Sequence, residues 1–125
     1  VTDTRTVTVQ RADGDVSIPC PAWCTRELHN SGEVRAEITH TGPDAVLSVD
    51  TSHGPASLLV VALEQRPFTD RPPGTGVFMN VTIDGDNFPY DVAGLERLAE
   101  QLVGIAADVR VKARELAALE DGTAP

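Results

Sequence analysis

A chain of 125 residues has the length of one domain, able to bury a core of modest size. Apolar residues make up 41% of it and charged residues 23%, the mixture of an ordinary globular protein. The formal charge of −9 is spread along the whole acidic chain without a compensating Lys/Arg cluster, which argues against nucleic acid and against an anionic membrane as partners.

The first segment with a clear period is "RTVTVQ" (5–10), whose β-branched alternation predicts a strand with Val7 and Val9 on one face. "ADGD" (12–15) carries the Asp-Gly signature of a hairpin turn and leads into a second strand at "VSI" (16–18). "EVRAEITH" (33–40) alternates again and predicts a strand with Val34, Ala36 and Ile38 inward. After a Gly-Pro turn, "AVLSVDT" (45–51) reads as a strand, and "SLLVVALEQ" (57–65) as one buried on both faces. The Pro/Gly-rich stretch 66–76 is a long loop, followed by a strand at "VFMNVTI" (77–83), an Asp-Gly turn and a short return at 86–90. "NVT" (80–82) matches a glycosylation sequon but lies inside a strand pattern, and we read it as chance.

From Asp91 the period changes. Leu95, Leu98, Leu102, Ile105 and Val109 step by three and four residues behind an N-cap aspartate, so 91–120 predicts one long C-terminal helix that Gly122 stops. At 1.5 Å per residue it runs for about 43 Å, beyond the roughly 30 Å of a small domain. Its apolar stripe either packs on its own sheet or is covered by a second copy, as in a homodimer. The expected architecture is α+β: a mostly antiparallel sheet of about six strands (5–90) closed by that helix, in a single domain over 1–125. No apolar run has the length of a membrane span and no leader pattern is visible, which suggests a cytoplasmic protein.

The chemistry concentrates at "CPAWC" (20–24), which holds both cysteines, with His29 and His40 following. Two thiolates and two imidazoles are the donor set of tetrahedral zinc, and three residues between the cysteines fall within the usual spacing. Cys20, Cys24, His29 and His40 are therefore candidate ligands of a Zn²⁺ ion in a knuckle spanning 20–40. Unligated buried thiols and a disulfide are the alternatives that the residues leave open, whereas the spacing departs from that of thioredoxin-like redox pairs. Trp23 reads as a packing lid over the knuckle, with ligand stacking as the second reading. His53, in a turn, reads as a solvated histidine. Glu27, Glu33 and Glu37 lie near enough in sequence to serve as a general base if water replaces one ligand. No H-E-x-x-H, G-x-S-x-G or phosphate-loop pattern is present.

The run C-P-A-W-C-T-R-E-L-H, followed by T-H-T-G-P, resembles a family of small uncharacterised actinobacterial proteins, a domain of unknown function. Its members share a Cys-Pro-x-Trp-Cys segment, a nearby histidine, a later histidine before Gly-Pro, strands after the motif and an Ala/Leu-rich C-terminal helix. The resemblance spans about Thr4 to Leu119 and places Cys20, Cys24, His29 and His40 on the shared positions; it implies no activity. The expected function is a non-enzymatic, zinc-stabilised module for protein interaction or regulation, whose partner is another protein or the chain itself through its C-terminal helix. A metal-dependent hydrolase with an open zinc site is the alternative.

Overall fold

The structure is a computed structural model that describes residues 4–9, 14–25, 29 and 35–122. It is an α+β arrangement of two antiparallel sheets and one long helix. The chain divides into two compact units, Val1–Tyr90 and Asp91–Pro125.

In the first unit, β1 (Thr4–Val9) and β2 (Val16–Pro21) form a two-stranded antiparallel sheet in which Val7 faces Ile18 and Val9 faces Val16. Alternation buries Ile18 and Cys20 while Ser17 and Pro19 stay exposed, so the face that carries the apolar core also carries the first cysteine. Val9, Ile18 and Ile38 form that core, with Val7, Val16 and Phe68 packed against it.

The second sheet contains β3 (His40–Thr41), β4 (Ala45–Thr51), β5 (Gly54–Gln65), β6 (Phe78–Ile83) and β7 (Asp86–Tyr90). β5 is its axis. β3 and β4 follow one another along one edge of β5, β6 takes the other edge, and β7 pairs outside β6. Asp84 and Gly85 join β6 to β7 with φ of 52° and 84°, the paired left-handed conformation that makes Asp-Gly a hairpin turn.

Two strand expectations are corrected. Of "EVRAEITH", residues 33 and 34 lie outside the described residues, and Arg35–Glu37 is a single 3-10 turn rather than a strand. The Arg35 carbonyl accepts the Ile38 N–H at 3.1 Å, and the Arg35 guanidinium sits 4.1 Å over the Phe68 ring. Alternation over so few residues fits a turn as well as a strand, and Ile38 is buried either way. The second correction concerns 57–65, which is central in the sheet but not covered on both faces, since Leu58 is 53% exposed. Its apolar run reflects flanking by two strands between Leu59 and Val61, where β4 and β6 both pair with it.

The second unit is α1 (Val92–Glu120). Asp91 caps it, its Oδ1 accepting the Gly94 N–H at 2.7 Å. At the far end the Gly122 N–H bonds the Leu119 carbonyl at 3.1 Å with Gly122 at φ 69°, a left-handed stop. Among the described residues, no helix is long and apolar enough to cross a membrane.

Candidate metal centre

Two chain segments, far enough apart to belong to different sheets, meet at the knuckle. β2 delivers Cys20 on its buried face, and the chain then turns: the Cys24 N–H bonds the Pro21 carbonyl at 3.1 Å, which brings the second thiol back toward the first. The Thr25 N–H continues to the Thr41 carbonyl at 2.9 Å and so ties the turn to β3. His40 is the first residue of β3, held on the β5 edge opposite Gln65, and the Gly42 N–H to the Leu63 carbonyl (2.8 Å) extends the same edge. The His29 carbonyl accepts the Thr39 N–H at 3.2 Å, which anchors the other histidine beside it. His40 thus reaches the site from a two-residue strand on β5, not from the end of the strand expected over 33–40.

The ligand atoms of Cys20, Cys24, His29 and His40 all lie within 4.8 Å of one another. His29 Nε2 stands 3.4 Å from Cys20 Sγ and 3.4 Å from Cys24 Sγ. Tetrahedral zinc with bonds of about 2.3 Å to sulfur and about 2.05 Å to nitrogen sets such a pair of atoms about 3.6 Å apart. The cysteines and His40 are buried, and His29 is half-buried.

His40 carries the sharpest signal. Among the described residues its buried Nδ1 has no hydrogen-bond partner, and a buried polar atom left so is costly. Burial, and then the neighbouring His29, push its pKa below the ordinary 6.5, with a smaller opposing effect from a hydrogen bond to the Pro19 carbonyl. A neutral imidazole held close to two thiols with one ring nitrogen left without a hydrogen bond is the form in which histidine ligates a metal. The donor set, the distances and this orphaned nitrogen fit a metal ion.

Trp23 packs beside the cluster as expected of a lid, edge-on to His40 with ring centroids 6.4 Å apart. It lies against Gly42, where an added Cβ would stand 3.3 Å from the Trp23 carbonyl oxygen. That close approach, the Pro19 carbonyl and the Thr25–Thr41 bond are backbone features without a side-chain signature in the sequence. A groove of about 580 Å³ runs along Trp23 and Cys24, walled by Pro43, Val61, Leu63 and Met79.

The other sequence candidates fall elsewhere. Glu27 and Glu33 lie outside the described residues. Glu37 is on the 3-10 turn and lines a separate polar pocket with Arg66 and Arg71, and it is not in the Cys/His cluster. His53 is exposed in the β4–β5 turn, its backbone N–H bonded to Thr51 Oγ1 at 3.1 Å.

No curated protein and no solved structure matches the chain. Residues 6–118 do match one family, and with most of its length covered the chain belongs to the family described as a domain of unknown function, DUF6907.

Proposed function

We propose that the chain is a non-enzymatic, zinc-stabilised cytoplasmic module that acts by binding another protein. The observation that carries the metal reading is the convergence of two thiols and two imidazoles, one of them His40 with its buried, unpartnered Nδ1. Zinc is favoured over other metals because two soft thiolates and two imidazoles suit a closed tetrahedral site without redox demands. The two cysteines are not joined in a disulfide, as a metal site in a reducing cytoplasm requires. In a small, aromatic-poor domain the ion supplies folding energy that the core lacks. Once the ligands are committed to structure, surface is what remains for function. The apolar stripe of α1, with Leu95, Leu98, Leu102, Ile105 and Val109, makes a second copy of the chain one candidate partner.

The hydrolase reading asks for an open ligand position with a base beside it. The groove next to Cys24 would have to hold the substrate, and among the described residues no Asp, Glu, Lys, Arg or His lines it. The test is elemental analysis with native mass spectrometry on protein purified without chelator: one zinc per chain is expected, and metal-free, fully folded protein would overturn the reading. A pull-down from cytosolic lysate with loaded and chelated protein tests the interaction half, which expects a partner retained only by the loaded form.

A further inference from the structure

The second sheet has two outer edges, and they are built differently. β7 closes one side with Pro89, which has no N–H, and with a charged Asp86 at its start. Both features discourage another strand from pairing there. β4 forms the other side. Its sequence AVLSVDT contains no proline, glycine or lysine, all seven of its residues are exposed, and β5 is its sole strand partner among the described residues. The irregularity in the β4–β5 ladder falls on β5, where Leu58 is the extra residue between Ser57 and Leu59, so β4 itself stays regular.

Alternation sends Val46, Ser48 and Asp50 to one face of this edge and Leu47 and Val49 to the other, and Asp44 immediately precedes the strand. Val46, Leu47 and Val49 are 59%, 48% and 45% exposed, which is unusual for apolar residues on a free strand edge. Asp44 and Asp50 bracket that apolar row, both exposed and neither in an ion pair among the described residues.

We propose that β4 is a docking edge for an extended segment of another protein, apolar in its middle and cationic at both ends, which adds to the sheet as an antiparallel strand. Backbone hydrogen bonds hold such a strand, and side chains select it. Charge identifies the occupant. The two aspartates call for Lys or Arg six positions apart, opposite Asp50 and Asp44, with apolar residues between. A second copy of β4 offers the same two carboxylates and no cation, on a chain whose charge is −9, so self-pairing leaves the aspartates unanswered. This is a specific form of the interaction reading above, and it does not depend on the identity of the metal.

The experiment uses the full metal-loaded chain, labelled with ¹⁵N, and the peptide acetyl-KVTLVVK-amide, whose lysines fall opposite Asp50 and Asp44 in antiparallel register. Saturable binding is expected, with the largest amide shifts over residues 45–51. The control acetyl-EVTLVVE-amide is expected to bind about tenfold more weakly or worse, because two attractive cross-strand pairs become repulsive. Leu47→Lys and Val49→Lys, both at exposed positions, should abolish binding while the metal content and the dispersion of the spectrum stay unchanged. A folded chain that ignores the lysine peptide, or binds both peptides equally, overturns the proposal. So does a dimer in sedimentation that Leu47→Lys dissociates, because it assigns the edge to a second copy. The interaction reading fails separately, if loaded protein also retains no partner from lysate.

Discussion

The rings of His29 and His40 meet edge to face, with centroids 5.1 Å apart and planes at 87°. Neither segment positions its histidine alone. Thr39 bonds back to the His29 carbonyl, and β3 hangs His40 on the β5 edge, so the pair exists only when the knuckle and the second sheet are docked together. With His29 Nε2 also in contact with both sulfurs, the four side chains form one mutually dependent set.

Removing one ligand should therefore remove the ion and loosen both sheets. Cys20→Ser and His40→Ala, at side chains that are 0% and 2% exposed, are each expected to lose stoichiometric metal. The accompanying loss of stability should be about 3 kcal/mol or more, since a structural metal is bound only by the folded chain. Elemental analysis and urea unfolding check both effects. Chelator treatment of the unaltered protein should mimic them and be reversed by added zinc. A stable, metal-bound His40→Ala variant would instead mark a three-ligand, catalytic type of site.

Gly42→Ala probes the lid. The new Cβ would stand 3.3 Å from the Trp23 carbonyl oxygen and 3.5 Å from both the Trp23 ring and Leu63 Cβ. A backbone oxygen cannot swing aside, so the knuckle has to shift. We expect a cost of about 1 kcal/mol, in the range of mild overpacking. Trp23 emission should move to the red while zinc remains bound. Unchanged emission and stability would show that the contact yields freely.

The four candidate ligands were legible in the sequence because cysteine and histidine announce their chemistry by residue type. The helix was legible because Leu95, Leu98 and Leu102 repeat at helical spacing over enough turns to average out accidents. Residues 33–40 carried too few periods to separate a strand from a 3-10 turn. What places His40 there is a pairing with Gln65, a distant residue that no local pattern announces. The Pro19 carbonyl and the Thr25–Thr41 bond are backbone groups, which every residue type possesses. The exposure of β4 was hidden for a related reason: Val46, Leu47 and Val49 read as core in any strand, and exposure is decided by what lies beside them.

Acid should destabilise the metal-free protein through His40. Its folded pKa lies below 6.5, first because burial disfavours the charged ring and then because His29 is near. In the unfolded chain the ring takes a proton near 6.5, so below that value protons favour unfolding. Its contribution is complete above 6.5 and is lost as pH falls from there through the lowered folded value. Urea midpoints of chelated protein should be level above that window and decline within it, and His40→Asn should flatten the decline. Loaded protein should fall more steeply, because thiolates and imidazoles bind protons as the ion leaves.

The helix cap offers a local test. Asp91 accepts the Gly94 N–H at 2.7 Å, and Asp91→Ala should cost about 1 kcal/mol, read as faster amide exchange in the first turn. Gly104 has nothing within 4 Å of an added Cβ, so Gly104→Ala should stabilise the helix by up to about 1 kcal/mol. Hydrogen exchange through the middle of α1 would show the gain, and a loss there would reveal a close neighbour at Gly104 in solution.

Self-association through α1 makes a different demand. The helix is 29 residues long, and Leu102, Ile105 and Val109 continue its apolar stripe into the middle turns. If a second copy covers that stripe, light scattering at high micromolar concentration should give the mass of a dimer. Leu102→Glu with Val109→Glu should return it to a monomer, because two carboxylates would be desolvated in each copy. The same variant should keep its zinc, since the ligands all belong to the other compact unit. A monomeric mass for the unaltered chain at that concentration would remove the helix dimer and leave a different protein as the partner.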